Sequence, residues 1–160
     1  MRPDSSDGPS DQLREFYRDD YVARLGKNDK RLHKRLERMM PFFDLKKDEV
    51  VADFACGNGQ LLDSIHDKVG EYHGVDFSSE FIAAADQRLE RLSASHASFH
   101  CQDIKEFCQD HQAVFDKAFA LDFSEHVLDQ EFIEISVAMR SSLKPGGRLF
   151  LHTPNGQFVL

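Results

Sequence analysis

The sequence has few cysteines and no long run of apolar residues. Three cysteines among 160 residues, with no CxxC pair, argue against a disulfide framework or a structural zinc site, so no bound metal is expected. No apolar stretch approaches the roughly 20 residues needed to span a bilayer, and the polar first ten residues do not form a signal peptide. These absences favour a reducing, cytoplasmic location without a membrane span.

Basic residues are scarce in the larger part of the chain. Residues 50–160 carry eight Lys or Arg against seventeen Asp or Glu, a net charge of −9, whereas residues 1–49 carry twelve against eleven. A surface of that sign argues against nucleic acid as a partner. The length and a hydrophobic content of 41% suit one domain with a sizeable core.

The first 49 residues differ in pattern from the rest. Residues 1–10 are rich in Ser, Asp, Pro and Gly, which predicts a disordered tail. Apolar residues at helical spacing predict two helices within residues 11–49, over Gln12–Leu25 and Asp29–Met40. Pro41 is expected to mark the end of the second helix.

From residue 50 onward, strand-like apolar runs alternate with helical patterns. This alternation predicts an α/β domain over residues 50–160, with βαβ units, right-handed crossovers and a doubly wound parallel sheet. The predicted strands are Val50–Cys56, Tyr72–Asp76, Ala97–Cys101, Phe115–Leu121 and Arg148–Thr153. Helices are predicted over Gln60–Val69, after a cap at Ser78 or Ser79, and over Gln130–Leu143, and a turn is predicted over residues 144–147.

Polar or small residues follow three of the predicted strands, where such sheets bind ligands. The glycines of Asp53–Gly59, which reads D-F-A-C-G-N-G, allow a tight turn and close approach of a ligand to the backbone. Asp76 ends the second strand and suits a contact to ribose hydroxyls. Asp103 follows the third strand, where a carboxylate can accept a hydrogen bond from the amine of adenine. Each feature alone also fits a plain turn or a helix cap.

A nicotinamide-binding domain is an alternative for this pattern. Its fingerprint has a third small residue three positions after the second glycine, so that the helix can pack closely on the strand. Leu62 occupies that position, and the first glycine of the fingerprint is missing. A nicotinamide-dependent oxidoreductase is therefore the less favoured hypothesis.

The motifs resemble those of class I S-adenosylmethionine (SAM) dependent methyltransferases, in the right order from about Val50 to Thr153. Asp53–Gly59 is similar to motif I of that family, usually E/D-x-G-x-G-x-G, and Gly74–Ser78 to the second motif. Cys101–Ile104 resembles the third motif. The segment that resembles the fourth motif begins at Phe115-Asp116 and runs to Ser124-Glu125-His126-Val127. Leu143–Leu149 resembles the family's lead into strand five.

The resemblance implies a Rossmann-like sheet of strand order 3-2-1-4-5, with SAM as the cofactor and a small molecule as the methyl acceptor. The sequence is most similar to the ubiquinone-biosynthesis type of enzyme, and the implied reaction is in-line methyl transfer. A catalytically silent SAM-binding or scaffold module remains the alternative of a different class. The cofactor-binding residues implied are Asp53, Ala55, Cys56, Gly57, Gly59, Asp76, Phe77, Asp103, Ile104 and Leu121.

One position departs from the usual motif I, and another is a candidate catalytic residue. Ala55 replaces the first motif I glycine; a strand-like backbone accepts alanine there, so altered affinity is expected rather than lost binding. His126, next to Glu125, is a weak candidate for a catalytic base, because packing with one hydrogen bond is the favoured explanation.

The family normally continues beyond strand five with a helix and two further strands. The resemblance therefore predicts that these 160 residues are a fragment or a minimal version of a longer enzyme. Strand five would then be a sheet edge, whose unpaired backbone invites self-association.

Overall fold

The computed structural model of the protein describes residues 29–153 and the side chains of residues 33–153. The predicted tail over residues 1–10 and the predicted helix Gln12–Leu25 lie outside the described residues. Residues 154–160 lie outside them as well.

Five parallel strands form one sheet in the order β3-β2-β1-β4-β5, which confirms the predicted fold class. The order reverses direction between β1 and β4, and such a point opens a crevice for ligands at the carboxyl ends of the strands. The strands are β1 (Val50–Phe54), β2 (Glu71–Asp76), β3 (Ala97–Cys101), β4 (Phe115–Leu121) and β5 (Leu143–His152). The helices are α1 (Asp29–Phe43), α2 (Gln60–Ile65), α3 (Ser79–Leu92), α4 (Ile104–Asp110) and α5 (Asp129–Ser142), with a 3-10 turn over Ser124–His126.

The central strands are buried on both faces of the sheet, as continuous apolar runs in parallel sheets predict. Along β1, Ala52 and Phe54 pack in a cluster with residues of α4 and α5, whereas Val51 packs on the other face with residues of α1 and α2. Since successive strand residues point to opposite faces, one short run supplies both halves of the core.

Helix α1 continues past the proline that was predicted to end it. Pro41 lies inside the helix, which ends at Phe43. A proline there removes one backbone hydrogen bond. Phe43 is fully buried and contacts the rings of Phe119 and Phe150 edge-on, with centroids 4.8 and 5.0 Å away. This packing stabilises the last turn despite the proline.

The helices after β1 and β3 also differ from the sequence prediction. Helix α2 ends at Ile65 instead of Val69, because the chain turns there and Lys68 N–H donates to the Ile65 carbonyl at 2.8 Å. Helix α4, over Ile104–Asp110, was not predicted. Its signal is short, with Ile104, Phe107 and Cys108 forming the buried face.

Strand β5 begins earlier than predicted and includes the residues predicted as a turn. Leu143 pairs with Phe115 and Arg148 pairs with Lys117, so residues 144–147 of β5, four in number, lie opposite the single residue Asp116 of β4. The surplus residues form a bulge, in which Gly146 has a φ of 82°. The prediction of a separate turn followed by a strand from Arg148 is therefore wrong at its start.

The described sheet has β3 and β5 at its edges. Leu151 on β5 is half exposed. Self-association through this edge stays a prediction. Within residues 29–153, no helix is long and apolar enough to cross a membrane.

Candidate functional site

The loop that follows β1 is tied to the end of β2 by its backbone. Cys56 N–H donates to the carbonyl of Val75 at 3.0 Å, and Gly57 N–H donates to Oδ2 of Asp76 at 2.9 Å. Gly59 N–H closes the turn on the Cys56 carbonyl at 3.0 Å. The predicted glycine loop and the predicted acid after β2 therefore meet at the carboxyl edge of the sheet.

The two loop glycines serve different purposes. Gly59 has a φ of 74°, and a Cβ there would lie 2.5 Å from the ring of Phe99, so only glycine fits. Gly57 has a φ of 53° but faces open space, with no atom within 4 Å of the position that a Cβ would take. The open space beside Gly57 lets a ligand approach the backbone of the loop.

The backbone conformation of Ala55 differs from the one that the sequence predicted. Its φ is 53°, in the left-handed region, and not strand-like as expected. A side chain in that region clashes with the neighbouring carbonyl at a cost of about 1–2 kcal/mol. The glycine usual at this position in motif I would avoid the strain.

We predict that Ala55→Gly stabilises the fold by about 0.5–1 kcal/mol, because relief of the left-handed strain exceeds the extra entropy of an unfolded glycine. Urea unfolding measures the change, and affinity for the predicted cofactor should not fall. The matched control is Ala83→Gly on the exposed face of α3, which should destabilise by about 1 kcal/mol. A loss of stability in Ala55→Gly similar to that of the control would contradict the prediction.

Asp76 is buried at the end of β2 and organises the loop around it. Oδ2 accepts from Gly57 N–H, and Oδ1 accepts from Ser78 N–H at 2.9 Å. Burial raises the pKa of Asp76, and the hydrogen bonds from the backbone N–H groups of Ser78, Gly57 and Phe77 oppose that rise. A carboxylate offers about four acceptor positions, so these three bonds leave one position for a donor such as a ribose hydroxyl.

Asp53, on β1, is the second buried acid of the site. The hydroxyl of Tyr72 donates to its Oδ2 at 2.7 Å. Burial raises the pKa of Asp53 to about 7; the Tyr72 hydrogen bond lowers it and the charge of Asp76 raises it. The site therefore holds two acids whose charged forms are poorly solvated, and a cation nearby would stabilise both of them.

Cys56 is a buried, apolar residue of the loop after β1. Burial raises the pKa of its thiol well above the usual range, and the charges of Asp53 and Asp76 raise it further. A thiol in that environment stays protonated and is not a nucleophile.

The remaining predicted residues surround the same edge. Asp103 caps α4, and its Oδ1 accepts from Lys105 N–H at 2.8 Å, so the helix-cap alternative describes one real role of this side chain. Ile104 is buried beside it, whereas the Phe77 ring is about half exposed. Leu121 ends β4 opposite His152 of β5. Together with the loop, these positions form a continuous row along the ends of β3, β2, β1 and β4.

Arg88 of α3 was missed by the sequence analysis. Its Nε donates to the carbonyl of Asn58 in the loop at 2.9 Å, and its Nη1 donates to Asp63 of α2. The side chain is almost fully buried. It holds the glycine loop against α2 and α3, and a single arginine in an amphipathic helix gives no sequence signal of that contact.

A second missed group lies after β4. Asp122 accepts hydrogen bonds from Arg35 of α1 and from His152 at the end of β5. The predicted catalytic candidate, His126, lies in the 3-10 turn nearby, with Nε2 3.8 Å from Glu125 Oε1. Among the side chains of residues 33–153, no group of three His, Cys, Asp or Glu is placed to hold a metal ion.

The fold and this edge define the class of nucleotide-binding Rossmann-like domains. A glycine loop after β1, an acid after β2 and a crevice where the strand order reverses are the features of that class. Two buried acids next to the loop favour a ligand with positive charge.

Comparison with known proteins identifies the family. Residues 51–147 match the methyltransferase domain family, so the chain belongs to that family. It is 34% identical over 113 residues to a protein of Coxiella burnetii named ubiquinone biosynthesis O-methyltransferase, covering 70% of this chain and 46% of the relative. A protein of the same name from Idiomarina loihiensis is 32% identical, covering 66% and 42%. The chain thus spans about half the length of these curated relatives.

Solved structures show the same fold. A SAM-dependent methyltransferase from Archaeoglobus fulgidus superimposes with a TM-score of 0.69 at 22% identity, covering 86% of this chain and 60% of that one. A protein from Pyrococcus horikoshii superimposes with a TM-score of 0.68 at 26% identity, covering 75% and 57%. The family and the fold therefore agree with the resemblance in the motifs.

Proposed function

We propose that this chain binds SAM and transfers its methyl group to a hydroxyl of a small molecule. Membership of the methyltransferase domain family supports the reaction. The names of the curated relatives, O-methyltransferases of ubiquinone biosynthesis, support oxygen as the acceptor atom. The single observation that carries the proposal is the pair of buried acids, Asp53 and Asp76, beside the open cradle at Gly57.

The charge of the cofactor suits this pair of acids. SAM carries a sulfonium and an ammonium group, and burial raises the pKa of Asp53 and Asp76 because their charged forms are poorly solvated. A cation within about 4–6 Å favours the ionised form of a carboxyl group. The methionine part of SAM therefore belongs beside the loop after β1, near these acids.

The remaining contacts follow the row of residues along the edge. Asp76 accepts from the ribose, and Asp103 accepts from the adenine amine while it caps α4. Ile104 and the half-exposed Phe77 ring cover the faces of the adenine. Leu121 closes the site next to β4. SAM carries an activated methyl group when bound, so the protein contributes proximity, alignment for in-line transfer and exclusion of water.

Calorimetry at pH 7 tests whether SAM is the cofactor by measuring the proton that Asp53 should release on binding. A cation beside Asp53 should drive its proton off, since the pKa of this group is near 7 in the free protein. The heat of SAM binding should therefore depend on the ionisation enthalpy of the buffer, and less so for S-adenosylhomocysteine, which lacks the sulfonium charge. NAD serves as the control for the nicotinamide alternative. Binding of NAD without binding of SAM would contradict the proposal.

Turnover separates an enzyme from a silent binder. The chain with methyl-labelled SAM and catechol as the acceptor should yield labelled methyl ether and S-adenosylhomocysteine. Tight SAM binding without transfer to catechol or to other hydroxyl compounds would favour the silent-module alternative.

We predict that Asp103→Ala weakens SAM binding by about 1 kcal/mol while the fold survives, because one hydrogen bond to adenine is lost. The cap of α4 is lost as well, at about 1 kcal/mol of stability. Asp103→Ser separates the two effects, since serine caps a helix but does not reach the adenine. Unchanged SAM affinity in both variants would show that Asp103 is only a cap.

A further inference from the structure

A histidine and a carboxylate form a hydrogen-bonded pair at the ends of β4 and β5. His152 Nδ1 lies 2.6 Å from Asp122 Oδ1. The backbone joins the same two residues, because Asp122 N–H donates to the His152 carbonyl at 2.9 Å. Two bonds in different directions fix the imidazole relative to the end of β4.

Arg35 of α1 completes the arrangement. Its Nη2 donates to Oδ2 of Asp122, the oxygen that His152 does not use. The guanidinium pairs with the Asp122 carboxylate and holds its orientation. Asp122 also has a φ of 56°, in the left-handed region, where strain in a non-glycine residue is commonly retained at functional sites.

The carboxylate determines which nitrogen of His152 carries the hydrogen. An ionised carboxylate only accepts, so in neutral His152 the hydrogen is on Nδ1 and Nε2 has a free lone pair. Among the side chains of residues 33–153 and the backbone of residues 29–153, none forms a hydrogen bond with Nε2, and the side chain is 28% exposed. A histidine oriented by a carboxylate, with an accessible Nε2, has the geometry of a general base.

The position of this pair follows from the order of the site along the sheet. Asp103 follows β3, Asp76 ends β2 and the glycine loop follows β1, so a bound cofactor runs from adenine at β3 to its methionine part at β1. The next strands in the same direction are β4 and β5. Asp122 and His152 therefore lie on the side of the cofactor that carries the methyl group, and the adenine lies on the far side.

We propose that His152 is the general base that accepts the proton of the acceptor hydroxyl, with Asp122 and Arg35 as positioning residues. This proposal rests on the proposed methyl transfer to oxygen. As the O–H bond breaks, its proton goes to His152 Nε2; the oxygen forms a bond to the methyl carbon, and the sulfur–methyl bond breaks with its electron pair going to sulfur. The products are a methyl ether, S-adenosylhomocysteine and an imidazolium that Asp122 stabilises.

His126, the candidate that the sequence suggested, is the competing base. It lies in the 3-10 turn, and its Nε2 is 3.8 Å from Glu125, beyond hydrogen-bond distance. That carboxylate does not orient the ring as Asp122 orients His152.

Methyl transfer to catechol tests the base directly. His152→Gln should lower kcat at pH 7 by about 10²–10⁴-fold, the usual contribution of a general base, with KM for SAM nearly unchanged. The loss should shrink as pH rises, because catechol then ionises without a base. Asp122→Asn should give a smaller loss of kcat, and asparagine tolerates the left-handed backbone. The matched control is His96→Gln, just before β3 at the opposite edge, where glutamine can still donate to the His66 carbonyl.

If His152→Gln keeps at least half of the kcat of the unchanged chain at pH 7, the proposal is wrong. If the wild-type chain transfers no methyl group to any hydroxyl compound, the proposed function fails. Nitrogen NMR of His152 then tests separately whether this residue has the tautomer and the accessibility of a general base. A hydrogen on Nδ1, with an Nε2 resonance that shifts when catechol joins the S-adenosylhomocysteine complex, supports the proposal. A hydrogen on Nε2, or no response to catechol, overturns it.

Discussion

Replacing Asp76 with alanine is expected to weaken SAM binding by about 1.5–3 kcal/mol, as for a charge-assisted hydrogen bond to the ribose. The structure adds a second cost that the sequence did not reveal. The backbone N–H groups of Gly57 and Ser78 both donate to this carboxylate and would lose their acceptor. An unsatisfied buried donor costs about 1–3 kcal/mol, so the folded protein should also lose stability.

Calorimetry and urea unfolding measure the two effects in the same preparation. Asp76→Asn is the informative companion, because its amide oxygen can accept one of the two backbone bonds but carries no charge. Asp110→Ala, at the exposed end of α4, is the matched control and should change neither property. Wild-type affinity in a folded Asp76→Ala protein would exclude Asp76 from the cofactor site.

The stability of the protein without cofactor is expected to fall as pH rises from about 4 to about 7, in part because of Asp53. Its pKa is 3.8 in a solvated chain and about 7 in the fold, owing first to burial. Between these values the folded protein holds a proton on Asp53 that the unfolded chain has released. The folded state thus binds more protons, and its stability decreases with pH until both states are ionised above about 7.

A pKa difference of about three corresponds to roughly 4 kcal/mol of stability. Asp53→Asn cannot ionise and can still accept from Tyr72, so this variant should lack that part of the decrease. Urea unfolding at pH 4.5 and pH 8 compares it with the unchanged chain, and Asp110→Asn is the control. An equal decrease with pH in all three proteins would show that Asp53 is not the source.

Bound SAM should oppose the decrease in folding stability with rising pH. A cation next to Asp53 favours its ionised form, so the ligand recovers at pH 8 the free energy that burial of the charge costs. The stabilisation by saturating SAM should therefore increase with pH in the unchanged chain and vary less in Asp53→Asn. A stabilisation that does not vary with pH in either protein would place the cation away from Asp53.

Local sequence patterns predicted the strands, and the resemblance of the motifs implied their order. Apolar runs such as Val50–Phe54 and Phe115–Leu121 are long enough to be buried on both faces, and their alternation with helical patterns permits few topologies. The positions of Asp76 and Asp103 after their strands follow from the same pattern, because parallel strands end at one edge. The glycines of the loop after β1 indicated that a ligand can approach the backbone closely there, because glycine has no side chain.

Local patterns failed where packing or pairing opposes local preference. Pro41 is a helix-ending residue, but burial of Phe43 keeps the helix intact for two further residues. Residues 144–147 have turn-forming composition, yet pairing with β4 absorbs them into a bulge of β5. Ala55 has a left-handed backbone because the loop must turn toward β2, which no property of alanine predicts.

Contacts between distant parts of the chain were decided only by the tertiary structure. Arg35 and Asp122 are 87 residues apart, Asp122 and His152 are 30 apart, and Tyr72 reaches Asp53 across 19. Each pair depends on which strands are neighbours, on their register and on how α1 packs against the sheet. The sequence by itself therefore indicated the family, the fold and the row of positions predicted to bind the cofactor. The buried charges and the oriented histidine exist only because the sheet brings remote strand ends together.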